Sequence, residues 1–124
     1  MGDGHLGFDL RRENAHLSVK VPDWISLLML AIRYGWKPAG TKAPIDFQGT
    51  WAGSYTLSAW QTVGDADARR LARALERALP DIPEHDATPR ARRPGFLERF
   101  SGPDGRKRIK TVIAFCQGGG FRIE

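Results

Sequence analysis

Apolar residues alternate with polar ones near the start of the chain, on both sides of a short polar stretch. Phe8 and Leu10 precede the polar residues 11–14, and Leu17 and Val19 follow them. Apolar positions two apart on either side of a polar turn are typical of a β-hairpin, in which alternate side chains share one face. The pattern therefore predicts two antiparallel strands in this part of the chain.

The next segment predicts a helix over about residues 22–34. Pro22 stands where a first helical residue is expected, and Gly35 stands where a helix commonly ends. The residues from 24 to 32 are apolar on nearly every face, a pattern typical of a buried helix. We therefore expect this helix to lie at the centre of the core.

Two further helices and a strand are predicted in the second half of the chain. After Gly64, apolar residues repeat with the period of one helical face until Pro80. A third helix, which Gly118 can end, is indicated by apolar residues spaced i, i+3, i+4, i+7: Ile109, Val112, Ile113 and Cys116. Residues 119–124 then alternate apolar and charged, which predicts a terminal strand that pairs with the hairpin.

The remaining segments predict loops. Residues 35–63 are rich in Gly, Pro and Thr, and only residues 54–57 could form a short strand. Residues 80–95 are proline-rich and predict an exposed loop, and residues 1–6 predict a flexible N-terminus. We therefore expect a single α+β domain over residues 1–124, with about three helices and a small, mostly antiparallel sheet joining the N-terminal hairpin to the C-terminal strand.

Composition narrows the class of protein. The chain has 124 residues, of which 41% are hydrophobic and 27% charged, as in an ordinary folded domain. Its single cysteine, Cys116, excludes an internal disulfide or a multi-cysteine metal site and favours a reducing compartment. The chain shows no signal-peptide pattern, and its longest apolar run, residues 24–32, is too short to span a bilayer. We expect a cytoplasmic protein without membrane insertion.

The positive charge is concentrated in one stretch. The chain has 19 Lys and Arg against 14 Asp and Glu, a net charge of +5. Residues 88–110 hold eight basic and two acidic residues, a balance of +6, so the other 11 basic and 12 acidic residues carry −1. The eight basic residues are Arg90, Arg92, Arg93, Arg99, Arg106, Lys107, Arg108 and Lys110.

Clustered cations attract phosphate groups and acidic proteins. We therefore expect a non-enzymatic binding or accessory protein whose basic face, residues 90–110, binds an anionic partner, either an acidic protein or a nucleic acid. The alternative is a solvated loop that only keeps the protein soluble. Few aromatic residues interleave these cations, although Phe96 and Phe100 flank Arg99, and base stacking on aromatic rings is what single-stranded nucleic acid binding uses.

A second candidate site is the aromatic loop, residues 36–61. Six of its side chains could line a pocket for a small molecule, in a binding protein or an enzyme: Trp36, Thr41, Trp51, Tyr55, Trp60 and Gln61. The alternative is that the tryptophans close the core over the first helix. A third class, a bacterial immunity or antitoxin-like protein, fits the size of the chain but rests on no particular residue.

No set of residues predicts a catalytic, cofactor-binding or metal site, so we lean against an enzyme. Cys116 lies on an apolar stripe near the end of the third predicted helix, where the helix dipole raises a thiol pKa. His5, His16 and His85 lack the spacing of metal ligands. We interpret the glycines at 118–120 as a helix end and a turn, because the C-terminal end of a helix repels anions.

Three segments carry a resemblance to a known family. Residues 34–41 read YGWKPAGT, residues 61–75 begin QTV and continue with DA and LARAL, and residues 115–123 read FCQGGGFRI. They resemble a family of small uncharacterised bacterial proteins with a GW.P.GT segment, a QTV..DA..LA.AL helix and an FC..GGF.I end. The resemblance spans residues 7–124 with gaps. It implies a bacterial, cytoplasmic protein that stands alone as one domain, and it implies no activity.

Overall fold

A computed structural model describes residues 7–85 and 96–124. The strands are β1 (Gly7–Arg12), β2 (Ala15–Lys20), β3 (Gln61–Val63) and β4 (Phe121–Ile123). The helices are α1 (Val21–Arg33), α2 (Asp65–Ala78), α3 (Phe96–Arg99) and α4 (Gly102–Gln117), with a short 3-10 helix at Leu79–Asp81. The predicted flexible residues 1–6, and residues 86–95 of the predicted proline-rich loop, lie outside the described residues.

The four strands form one antiparallel sheet in the order β2-β1-β4-β3. The hairpin pairs Phe8 with Val19 and Leu10 with Leu17, and Leu10 also faces Ile123 of β4. The predicted α+β class is confirmed, and so is the sheet that joins the N-terminal hairpin to the C-terminal strand.

The apolar core lies on one face of the sheet, under the helices. The ring of Trp24 in α1 lies 6.4 Å from that of Phe8 and 6.3 Å from that of Phe121. Phe115 of α4 packs 5.4 Å from Phe121. The opposite face carries polar side chains in register across the sheet: His16, Arg11, Arg122, Thr62 and Lys42.

The first helix differs from its prediction in burial, although its bounds agree closely. Trp24, Leu27 and Leu30 are buried as expected. However, Ile25, Met29 and Ile32 are 43–45% exposed, so α1 is not buried all round. A helix packed against a sheet on one side and a neighbouring helix on another keeps a solvent face, whatever residues occupy it.

The region of the third predicted helix contains two helices, which makes four α-helices in the described chain against the three predicted. The chain turns between them at Gly102, whose φ of +78° suits a residue without a Cβ. The Gly102 N–H donates to the carbonyl of Pro83, and Ile82 nearby is buried. The start of the predicted 80–95 loop is therefore packed against the beginning of α4.

No strand forms at residues 54–57, so the short strand that this segment could have formed is absent and the expected loop is present. The carbonyls of this segment accept from side chains instead of from a neighbouring strand. Trp24 Nε1 donates to the carbonyl of Tyr55, and the amide of Gln61 donates to those of Ser54 and Leu57. The strand of this region is β3, which begins only at Gln61.

Among residues 7–85 and 96–124, no helix combines the length and apolar character that crossing a bilayer requires.

Candidate functional site

A cavity of about 570 Å³ lies between β2, the first turn of α1, and the turn from α3 into α4. Its apolar surface comes from six side chains: Leu17, Val19, Pro22, Leu27, Phe100 and Val112. Five charged residues also line it: Lys20, Asp23, Arg99, Lys107 and Arg108. Four cations therefore share this space with one carboxylate.

The secondary structure explains why these residues face one another. Residues 107, 108, 111 and 112 form one stripe of α4, because positions i, i+1, i+4 and i+5 of a helix share a side. On the opposite wall, four consecutive residues, 17–20, line the cavity. Successive strand residues point to opposite faces of the sheet, so a cavity that meets all four runs along the backbone edge of β2.

Asp23 organises the two arginines. It lies in the first turn of α1, where the helix dipole favours a carboxylate. Its Oδ2 accepts from Arg108 Nε at 3.1 Å, and its Oδ1 accepts from Arg99 Nη1 at 3.5 Å. The carboxylate thus joins α1 to both α3 and α4 and holds two guanidinium groups at the cavity.

Arg108 is fixed by further contacts. Its Nη2 donates to the carbonyl of Arg99 at 3.1 Å, and its guanidinium lies 5.7 Å from the centroid of the Phe100 ring. Close packing of α4 beneath Phe100 depends on Gly105, where an added Cβ would lie 2.5 Å from the Phe100 carbonyl oxygen. A glycine is therefore required at position 105 for the backbone at Phe100 to pack this closely against the first turn of α4.

The two lysines differ from the arginines. Lys20 and Lys107 are exposed, and within the described chain neither ammonium group has an ion-pair or hydrogen-bond partner. Cations without internal partners stay available to a ligand, whereas paired cations are already partly neutralised. The cavity thus combines apolar side chains, two positioned guanidinium groups and two lysines that have no partner among the described residues.

Of the eight basic residues predicted to bind an anionic partner, Arg99, Lys107 and Arg108 line this cavity. Arg106 lies elsewhere, because its Nη1 donates to the carbonyls of Leu79 and Ile82 after α2. Lys110 is exposed on α4 but does not line the cavity. The other three, Arg90, Arg92 and Arg93, lie outside the described residues.

Lys20 and Asp23 also line the cavity, and neither was predicted from the sequence. Both are far from the basic stretch in sequence, and they reach the cavity only because β2 and α1 pack beside α4. Asp23 carried a local signal, as an acidic residue in a first helical turn, but that signal indicates helix stability. No pattern along the chain indicated that Lys20 belongs to the site.

The aromatic loop is built around Asp67, a buried carboxylate in the first turn of α2. It accepts from Trp36 Nε1 at 3.1 Å, from the Ala39 N–H at 3.2 Å and from the Tyr55 hydroxyl. Burial, and then the hydrogen bond to Asp67, raise the pKa of Tyr55. The hydroxyl of Tyr55 also accepts from the N–H of Gly40 at 2.8 Å.

The other predicted pocket residues in this loop also bond within it. Trp51 Nε1 donates to Thr41, whose hydroxyl donates to the carbonyl of Ser54 at 2.7 Å. Gln61 is fully buried, with its side chain bonded to the loop backbone. Trp60 is exposed, with the guanidinium of Arg122 over its ring at 5.2 Å. None of the six predicted pocket residues lines the cavity beside β2 or the second cavity, at the edge of the open sheet face.

A second cavity, of about 550 Å³, lies at the edge of the open sheet face beside the start of α2. Its arginines have internal partners. Arg11 and Arg122 each pair with Glu124, at 3.1 and 3.0 Å, and Arg12 Nη1 donates to the carbonyl of Gly119. Asp65 adds a carboxylate and accepts from the N–H of Gly120 at 2.6 Å, so this glycine turn does not present a free cradle for an anion.

Cys116 is buried in the core, and burial raises the pKa of its thiol from 9.0 to about 12. A thiol in this state is a poor nucleophile. Within the described residues, no three histidine, cysteine, aspartate or glutamate side chains come together as a metal site requires. Comparisons of the chain with protein families, with curated proteins and with solved structures found no match.

Proposed function

We propose that this protein is a non-enzymatic binding protein, and that the cavity between β2 and α4 receives the acidic groups of an anionic partner. The observation that supports this proposal is the convergence of Lys20, Arg99, Lys107 and Arg108 on one space with a single carboxylate, Asp23. The apolar side chains of the cavity favour a partner that carries apolar groups next to its acidic ones.

The contacts of Asp23 favour binding over catalysis. Its two oxygens accept hydrogen bonds from Arg99 and Arg108, so the carboxylate fixes the positions of these two guanidinium groups. A general base needs a free lone pair directed at the proton it removes. The thiol of Cys116 is buried away from the cavity.

Charge reversal at Lys107 tests the proposal. The probe is a fluorescein-labelled hexapeptide of alternating valine and glutamate, and a short oligothymidylate serves as a nucleic-acid comparison. Because Lys107 has no described side-chain partner, Lys107→Glu leaves the fold intact and places a repulsive charge in the cavity. We expect the Kd of the hexapeptide to rise at least about tenfold, equivalent to about 1.4 kcal/mol, and binding to weaken as salt is added.

The matched control is Lys37→Glu, which changes the net charge by the same amount. Lys37 is an exposed lysine in the aromatic loop and does not line the cavity. Its reversal should change the Kd less than about threefold, because solvent and salt screen distant charges. Equal losses from both variants would show that overall charge, and not the cavity, binds the probe. Tight binding of the oligothymidylate, lost in Lys107→Glu, would make a nucleic acid the anionic partner.

We also propose that the protein works in the cytoplasm of a bacterium. The chain has a single cysteine, and its thiol is buried, which suits a reducing compartment. The resemblance of residues 34–41, 61–75 and 115–123 to small bacterial proteins supports the same assignment. Fractionation of a bacterial host that expresses a tagged chain would test the compartment.

A further inference from the structure

We propose that the partner is an acidic protein segment that adds to the free edge of β2 as an extra strand, with alternate side chains in the cavity. This inference rests on the proposed function, because it uses the same cavity. It adds the conformation of the partner and the backbone groups that recognise it. Such strand addition uses main-chain hydrogen bonds for affinity and side-chain pockets for specificity.

Strand β2 lies at the end of the sheet. In the part of the chain that the structure describes, β2 pairs with β1 alone. Half of the N–H and C=O groups of such a strand point outward, away from its one neighbour. These groups are ready to pair with an added strand.

Apart from Lys20 at its end, whose charge repels a basic strand but attracts an acidic one, β2 lacks the features that commonly block strand pairing at an edge. Edge strands are often protected by a proline, a bulge or a very short length. β2 has six residues and no proline. Its pairing with β1 is continuous: it begins where Gly7 pairs with Lys20 and ends where Arg12 pairs with Ala15. An added strand therefore meets a regular edge.

The cavity follows the free edge of β2. Residues 17–20 line it consecutively, so the space lies along the strand backbone and not over one face of the sheet. The opposite wall is the α4 stripe that contains Lys107 and Val112. A segment bound between β2 and α4 thus meets backbone groups on one side and a helix wall on the other.

The charge of the cavity selects an acidic segment. Lys20 on β2 and Lys107 on α4 line the cavity without described partners, and Arg99 and Arg108, held by Asp23, line the same cavity. Alternate residues of an added strand point the same way, so one set reaches Leu27, Phe100 and Val112. The other set carries the acidic side chains, and the long, exposed side chains of Lys20 and Lys107 extend from the rim of the cavity to meet them.

Backbone methylation of the hexapeptide probe tests strand addition apart from charge. In an extended strand, the valine N–H groups point to one edge and the glutamate N–H groups to the other. One version of the peptide is N-methylated at its valines and a second at its glutamates, with all side chains and charges unchanged. We expect one version to bind at least tenfold more weakly than the unmodified peptide and the other to bind within about threefold of it.

The results separate the two proposals. Equal affinities of all three peptides, or equal losses in both methylated versions, would overturn strand addition. If binding were still weakened by Lys107→Glu in that case, the proposed function would stand. If the unmodified hexapeptide did not bind, or bound wild type and Lys107→Glu equally, the proposed function itself would fail and strand addition with it. Slower hydrogen exchange at amides of residues 17–20 on peptide binding is expected as an independent sign of the new strand.

Discussion

The aromatic loop and the basic cavity both looked like binding sites in the sequence, but they differ in how their polar groups are used. In the loop, Trp36, Tyr55 and the Ala39 N–H converge on Asp67, and each is satisfied there. In the cavity, Lys20 and Lys107 have no described partner. Buried polar groups that bond to one another stabilise a fold, whereas exposed charges without partners remain available to a ligand.

The comparison shows why residue content alone did not distinguish the two regions. Tryptophan and tyrosine are common both in ligand pockets and in loops that close a core. The distinction comes from the partners of their polar atoms, and in this protein Asp67 provides those partners for Trp36 and Tyr55. Four experiments follow from this difference between the loop, the cavity and the core, ordered from the largest expected effect to the smallest.

Asp67→Asn should have the largest effect on stability. The carboxylate accepts three hydrogen bonds, and an asparagine would turn an N–H₂ group toward these donors. We expect the free energy of unfolding to fall by about 2–4 kcal/mol, measured by urea denaturation. Hexapeptide binding by the remaining folded protein should be unchanged.

The matched control for Asp67 is Asp81→Asn. Asp81 also accepts from a tyrosine hydroxyl, that of Tyr34, at 2.6 Å, but at an exposed position. Its substitution should cost less than about 1 kcal/mol, because water replaces the lost contact. Similar losses in the free energy of unfolding for the two variants would show that Asp67 does not hold the loop in place.

Gly105→Ala should disturb the packing of α4 against the turn at Phe100, which lines the cavity. The added methyl group would meet the backbone of Phe100, so α4 and the preceding turn must separate at a cost of about 1–3 kcal/mol. Hexapeptide binding should weaken as well, because Arg99 and Phe100 would move relative to Lys107. Gly64→Ala is the control: its methyl group would meet open space, so we expect a cost below about 1 kcal/mol and unchanged binding. Intact binding in Gly105→Ala would contradict the role of this turn.

Alkaline pH should lower stability through Cys116. Burial raises the pKa of its thiol from 9.0 to about 12, so above pH 9 the folded protein keeps a proton that the unfolded chain loses. The free energy of unfolding then falls as pH rises, by at most about 1.4 kcal/mol per pH unit. Because Tyr55 also has a raised pKa, it adds to this fall above pH 10.

A flatter dependence in Cys116→Ala between pH 9 and 10 would support this assignment, whatever the absolute stability of the variant. The measurement is urea denaturation across this pH range, with wild type as the reference. Identical slopes for wild type and variant would contradict it.

Lys110→Glu should have the smallest effect. Lys110 lies one helical turn from Lys107, but it does not line the cavity. We expect a change in stability within about 0.5 kcal/mol and a smaller loss of hexapeptide binding than in Lys107→Glu. Equal losses of binding would extend the site over the outer face of α4 and weaken the case for the cavity.

Local periodicity predicted much of this fold. The hairpin, α2 and the terminal strand follow from apolar spacing that each segment carries by itself. The exposed side of α1 could not be predicted in this way. Every face of that helix has apolar residues, and only tertiary packing decides which face is covered. β3 was missed because its three residues are too few to show a period.

About half of the candidate site was predictable. Arg99, Lys107 and Arg108 were identified because they belong to a run of cations in the sequence. Lys20 and Asp23 were not, since strand β2 and helix α1 meet α4 only in the folded protein. The different role of Arg106, which binds the carbonyls after α2, was equally invisible because it depends on the side of α4 that this residue occupies.

The most direct test of the cavity is an amide NMR titration of wild-type protein with the alternating valine and glutamate hexapeptide. The structure predicts that saturable chemical-shift changes concentrate at residues 17–20, 99–100 and 107–112, with little change in residues 36–61. Changes centred on the aromatic loop, or no saturable change in any residue, would contradict the assignment of the binding site to the cavity.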